Sequence, residues 1–265
     1  MPPKSTPELR AFRQRLMRWF RRKGRDLPWR RTRDPYRVLV SEFMLQQTQV
    51  ARVREYYPRF LARYPTIHAL ARATPAGVHA VWQGLGYYRR AANLHRLART
   101  VVADFDGVLP EDPVALRRLP GVGRYTAGAV ATFAFEQAHP AVDTNVGRVI
   151  RRAFFGGERQ PGKRGSGETG KRRSGETGKR GSGETGKRRS GEAGNRAGRA
   201  EEERRVWELA QLLVPRAGNP AWTFNQAIME LGALVCTARV AKCGECPVRG
   251  VCRTGKWRNG ETGRR

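Results

Sequence analysis

Acidic residues are scarce in this chain of 265 residues: 23 Asp and Glu stand against 52 Lys and Arg, a formal charge of +29. Such an excess attracts a polyanion. Nucleic acid is the usual one, and charge by itself leaves ribosomal and membrane-surface roles open as rivals. Long apolar runs are missing. No stretch of about 18 apolar residues occurs, so no membrane span is expected. The opening residues, MPPKSTPELRAFRQRLMRWF, contain neither an apolar core nor a small-residue cleavage site, so no secretory signal is expected. The expected compartment is the cytoplasm, in association with the nucleoid. Cysteine is missing everywhere except between positions 236 and 252, where all four lie. In that compartment a disulfide framework is not expected, which turns attention to metal. Alternating strand patterns are absent too, which argues against a β class.

What is present reads as helix nearly throughout, and the expected fold class is all-α. Apolar residues recur at helical spacing, and helix starts combine a side-chain cap with proline: Asp34-Pro35, Thr74-Pro75, Asp112-Pro113 and Asn219-Pro220. One segment, 158–200, differs. It carries four copies of an eight-residue unit starting at Gly165, Arg173, Gly181 and Arg189. The period is too short and the composition too polar for a solenoid with a core, so disorder is expected there. It reads either as a tolerated loop expansion or as a basic tether adding non-specific nucleic-acid affinity. A related basic tail occupies 257–265.

Three motifs carry chemistry. The cysteines read Cys236-x6-Cys243-x2-Cys246-x5-Cys252, a set of soft thiolates that suits zinc or an iron–sulfur cluster. Two evenly spaced CxxC knuckles would favour zinc, and only one CxxC is present. Second, Leu119-Pro120-Gly121-Val122-Gly123 lies between two expected helices, a helix–hairpin–helix pattern. Its glycines allow a tight turn that can aim backbone N–H groups at a phosphate. An αα-hairpin that only packs is the plainer alternative. Third, Asp143 stands where a new helix begins, which any N-cap Asp would do.

Residues 27–154 and 206–252 resemble the adenine DNA glycosylases of the MutY type, in the endonuclease III superfamily. The resemblance rests on LPWR (27–30), SEFMLQQTQVARV (41–53), WQGLGYYRRAANLH (82–95), LPGVGRYTAGAV (119–130), AVDTNVGRVI (141–150), FNQAIMELGALVCT (224–237) and the cysteine spacing. It implies a two-lobed helix–hairpin–helix glycosylase fold. A barrel lobe is expected over 31–136. A second lobe, built from 1–30, 137–157 and 201–256, is expected to hold a 4Fe-4S cluster on Cys236, Cys243, Cys246 and Cys252. Lys242, Arg249, Arg253 and Lys256 would make that loop a basic surface for phosphate.

By the same resemblance, Glu42 protonates N7 of the departing adenine and then helps to activate water. Its place between Ser41 and Phe43 on an apolar helix suggests a buried, protonated carboxyl. Asp143 stabilises the oxocarbenium ion, and Asn145 lies near the water and the sugar. Tyr125 stands where bifunctional relatives have the Schiff-base Lys, which implies a monofunctional enzyme. Extracting a base from the duplex needs a filler for the gap: Gln46 is implied as the wedge, with Gln47 and Thr48 beside it. Tyr87 is implied as the residue inserted beside the orphaned base, and Arg30 as a pocket residue. Gly121, Val122 and Gly123 would bind the backbone. The expected partner is double-stranded DNA with adenine mispaired with 8-oxoguanine or guanine, bound by a monomer.

One departure opens alternatives. The mostly β domain that reads 8-oxoguanine in this family is not expected in the 13 residues after Cys252. Weaker discrimination of the lesion is therefore expected. A mismatch thymine or uracil glycosylase, or a non-catalytic DNA-binding module, also fits such a chain. Glu42 together with Asp143 argues against the latter.

Overall fold

The computed structural model describes residues 6–156 and 185–257. Its helices begin largely where capping chemistry dictates. Helix α1 (Pro7–Lys23) starts at Thr6, whose hydroxyl accepts from the Leu9 N–H. In α2 (Pro35–Leu45) the Asp34 carboxylate accepts from Arg37 N–H. Helices α3 (Val50–Arg63), α4 (Ile67–Ala71), α5 (Pro75–Trp82) and α6 (Arg89–Asp104) follow. Thr74 caps α5 through Gly77 N–H, and Asp112 caps α7 (Pro113–Leu116) through Val114 and Ala115. Each pairs a free N–H of the first turn with a side-chain acceptor, next to a proline that has none to satisfy.

After α8 (Arg124–Phe133) and α9 (Thr144–Ile150), a single π-turn spans Arg151–Phe155. Helix α10 (Thr185–Leu213) precedes α11 (Gly218–Leu234) and α12 (Arg253–Trp257). Asn219 is not the cap expected of it. Helix α11 starts at Gly218, two residues before Pro220, with no side-chain acceptor on its first turn; Asn219 Oδ1 accepts from Thr223 Oγ1 instead. Most of the repeat lies outside the described residues. Its last part, from Thr185, continues α10 backwards, contrary to the disorder expected there. Extending a helix already nucleated by AEEERRVWELAQLL costs little per residue. Among the described residues there is no strand, and no helix is long and apolar enough to cross a membrane.

The helices bury two cores. The first gathers α2 to α8 around Phe43, Phe60, Trp82, Leu94 and Leu116. Leu27, Trp29 and Ala141, outside the 31–136 stretch expected for the barrel, pack in it as well. The second core joins α1 to α9, α10 and α11 through Phe12, Leu16, Ile150, Leu213 and Phe224. The chain therefore leaves the second lobe after α1, builds the barrel, and returns at Val142.

Polar clamps lock the two lobes. Glu230, fully buried on α11, accepts from Arg25 and from Arg30, the latter in the 3-10 turn Pro28–Arg30 beside Trp29. Burial alone would raise its pKa, but the hydrogen bonds from Arg25 and Arg30 outweigh burial and hold it at about 2. Glu230→Ala should strand Arg30 in a buried site and cost about 3–5 kcal/mol, read as a lowered urea midpoint at neutral pH. The loss should shrink as acid protonates Glu230 in the parent.

Candidate active site and cysteine cavity

Between the lobes lies a cleft of about 790 Å³, within the range of small-molecule sites. Glu42 comes to it from α2, and Tyr125 from the first turn of α8. Asp143 and Asn145 come from the start of α9 in the other lobe. Arg30, Gln46, Gln47 and Thr48 also line it. Eight of the residues singled out in the sequence therefore face one space.

Glu42 is only 3% exposed, so it is not a surface helix residue. Tyr125 donates to its Oε2 at 2.7 Å. Burial pushes the Glu42 carboxyl up to about 7. The Tyr125 hydrogen bond and Arg30 hold that rise back, and the Asp143 charge adds to it. Tyr125 keeps its own proton far into alkali because it is buried beside two carboxylates.

Asp143 is both an N-cap and a site group. Oδ1 accepts from Val146 N–H at 2.7 Å, while Oδ2 accepts from Asn145 Nδ2 at 2.9 Å. Burial raises its pKa, and these hydrogen bonds restrain the rise. Asn145 Oδ1 in turn accepts from Arg148, whose guanidinium also donates to the carbonyls of Gly232 and Cys236. A Cβ at Gly232 would stand 2.7 Å from Asn145 Cβ, so only glycine lets α11 approach this closely. Asn225 on α11 accepts from Ala141 N–H and donates to the His139 carbonyl, fixing the segment that delivers Asp143.

The remaining predicted residues lie away from the cleft wall. Tyr87 is 60% exposed, so core packing does not explain it; Tyr88 stacks on His79 at 4.4 Å. Gln47 and Tyr87 both have left-handed backbones, φ 56° and 48°. For side-chain-bearing residues this costs about 1–2 kcal/mol each and clusters at functional sites. In the hairpin, Gly121 (φ 77°) is required, since a Cβ there would strike Asn93. Gly123 has an ordinary φ of −88° and open space around it. Val122 does not match its expected role: its side chain is buried in the barrel core and its N–H donates to the Leu119 carbonyl.

Sequence reasoning missed Gln226 and Glu230, which also line the cleft; Arg30 Nε donates to Gln226 Oε1 at 2.7 Å. The available signal was a pair of polar residues four apart on the apolar helix FNQAIMELGAL.

All four cysteines line a second, separate cavity, with Arg152 against Cys236 Sγ at 3.6 Å. Burial pushes the Cys246 thiol up to about 12 and raises Cys252, with the neighbouring thiols adding to both. Lys242 and Arg253 are exposed, whereas Arg249 turns into the cavity wall and not outward as expected. The side chain of Lys256 lies outside the described residues.

Residues 40–168 match the family described as HhH-GPD superfamily base excision DNA repair protein. Adenine DNA glycosylase of Mycolicibacterium smegmatis is 40% identical over 88% of this chain and 66% of its own length. Adenine DNA glycosylase of Rattus norvegicus is 40% identical over 93% of this chain and 42% of its length. The chain thus spans roughly two fifths to two thirds of these curated relatives. Among solved structures, a thermostable thymine-DNA glycosylase superposes with a TM-score of 0.73 at 28% identity, covering 94% of this chain and 97% of that one. An endonuclease III–DNA covalent intermediate, at 23% identity and TM-score 0.66, shares the fold.

Glu42 enters the folded state with a raised pKa, so the folded protein holds a proton that the unfolded chain has released. Stability on that account is present below the ordinary Glu range and is lost as pH rises toward 7. Glu42→Gln should therefore stabilise the protein by up to about 3 kcal/mol near pH 8 and by little near pH 4. Paired urea unfolding curves at the two pH values measure this. Equal gains at both would mean that Glu42 does not carry the raised pKa.

Proposed function

This chain belongs to the HhH-GPD superfamily of base excision DNA repair proteins, and we propose that within it the chain is a monofunctional DNA glycosylase that releases adenine mispaired with 8-oxoguanine or guanine. The observation that carries this reading is the pair of carboxyl groups on one cleft. Glu42 is buried and able to hold a proton near neutral pH, and Asp143 faces the same space from the opposite lobe. Hydrolysing an N-glycosidic bond asks for these two roles in different environments.

In the proposed reaction the adenine is extruded into the cleft. Glu42 gives its proton to N7, and the C1′–N9 electron pair leaves with the base. Asp143, whose charged form is favoured by hydrogen bonds from Val146 N–H and Asn145 and by the Arg148 charge, would oppose the positive charge that develops on the sugar. The Glu42 carboxylate then accepts a proton from water as its oxygen bonds C1′, leaving an abasic site. Tyr125 holds Glu42 in place and offers no amine to the sugar, so no strand cleavage follows. Gln46, Gln47 and Thr48 line the cleft that the base would enter, and Tyr87, exposed outside it, would reach the opposite base.

The four cysteine sulfurs fit a 4Fe-4S cluster better than zinc. They share one cavity, and their uneven Cys236-x6-Cys243-x2-Cys246-x5-Cys252 spacing, with a single CxxC, supports the cluster reading. Cys236, Cys243, Cys246 and Cys252 would hold the cluster, whose four iron–thiolate bonds would cross-link the loop between α11 and α12. Purified under argon, the protein should contain about four iron and four acid-labile sulfide per chain. One zinc per chain would contradict the assignment.

A second reading, mismatch thymine or uracil glycosylase, is favoured by the full-length match to the thymine-DNA glycosylase structure. Duplexes carrying A:8-oxoguanine, A:G, T:G and U:G, assayed with alkali to reveal abasic sites, separate the readings. The adenine duplexes should be cut only after alkali, with Glu42→Gln inactive and still bound to DNA. Release from T:G or U:G alone would replace the first reading with the second, and no release from any would leave a binding module.

A further inference from the structure

Arg90, on the first turn of α6, is charged yet only 7% exposed. Its guanidinium lies 5.5 Å from the Trp82 ring centre and 5.4 Å from that of Tyr87. One arm, Nη1, donates to the carbonyls of Phe43, Met44 and Gln46. These are carbonyls at the end of α2, where intrahelical donors run out and a cation is favoured. The other arm, Nη2, donates to Thr48 Oγ1 at 2.9 Å and to the carbonyls of Gly86 and Leu85. Nε points at the Tyr87 carbonyl at 3.4 Å.

A single planar group thus joins the loop after α2 to the loop before α6. Those loops carry Gln47 and Tyr87, two of the four described non-glycine residues with positive φ. Neither would hold that backbone without outside support. Among the described residues, the Gln46 carbonyl otherwise meets Thr48 Oγ1 only at 3.5 Å, and the Gln46 side-chain amide reaches Thr126 Oγ1 only at 3.5 Å. The loop before α6 has further ties, from Arg52 to the Gly84 carbonyl and from Trp82 Nε1 to that of Gly86.

We propose that Arg90 is a positioning residue that sets the two DNA-facing loops in one fixed relation, so that the groups entering the duplex on either side of a base pair do so together. It touches no substrate itself. Its effect should fall on discrimination between mispaired and matched duplex, because only a mispair yields a base to both loops at once. This rests on the reading of the chain as a DNA glycosylase.

Lysine keeps the charge but ends in one compact ammonium, which cannot span both loops as a fork does. In full-length Arg90→Lys, amides of 46–49 and 85–88 should exchange hydrogen at least about tenfold faster, while those of α8 and α9 keep their protection. Binding is measured in a Glu42→Gln background, so that no base is lost. There the affinity ratio of A:8-oxoguanine to A:T duplex should fall about tenfold, with A:T affinity within about twofold of the parent. Unchanged exchange, an unchanged ratio, or protection lost evenly across the barrel would overturn the proposal, the last by making Arg90 an ordinary core residue. Thr48→Val removes one bond of the clamp and tests the same idea if Arg90→Lys does not fold. It should deprotect 46–49, and no change there would overturn it. Hydrogen exchange needs no base chemistry, so a parent that released no adenine would sink the proposed function and leave this outcome readable.

Discussion

A carboxyl group stripped of water must keep its proton or find a cation, and the cleft between the two lobes is organised by that choice. Glu42 and Glu230 are both buried, and both line the same space. Glu230 is met by two guanidinium groups and stays ionised down to about pH 2. Glu42 is met by a phenol hydroxyl, with Arg30 only a weaker influence, and its pKa climbs to about 7. The same residue type thus serves as a fixed anionic clamp in one place and as a poised acid in another. Arg30 separates the two fates, since it is spent on Glu230 and Gln226 and only weakly offsets the burial of Glu42.

Asp143 meets the constraint a third way. Its burial is balanced by a backbone N–H of its own helix and by the Asn145 amide. The cap that starts α9 and the carboxyl group that lines the cleft are therefore one side chain. Asn145 is oriented by Arg148, and Arg148 also holds the carbonyl of Cys236, the first residue of the cysteine cavity. The separation of the cysteine loop from the cleft is thus bridged by continuous hydrogen bonds.

Local chemistry was the most legible part of the chain. Caps at Asp34, Thr74 and Asp112 are decided by neighbours three residues away, so a sequence displays them in full. Asn219 failed because the chain enters α11 from Ala217, where the Gly218 N–H donates to the Glu136 carbonyl, a distant partner that no local pattern reveals. The burial of Val122 was equally illegible: a residue between two glycines carries no local sign that its side chain packs into the barrel core. Arg90 reads as one more basic residue in a chain with 52 of them. Only its burial against two loops, 42 to 47 residues upstream in one case and adjacent in the other, sets it apart.

By itself the amino-acid order determined the helical class, and through the resemblance of its motifs it pointed to the family, to Glu42 with Asp143, and to the cysteine set. Periodicity carries the first and matching motifs the rest, and both survive without coordinates. The tertiary structure decided which of two buried glutamates has the raised pKa, that Tyr125 is the group hydrogen-bonded to Glu42, that Gln226 and Glu230 line the same cleft, and that Arg90 is buried between two loops. Those are questions of dielectric and of donors contributed by distant segments. They have no answer until α2, α8, α9 and α11 have closed around one cleft and excluded water from it.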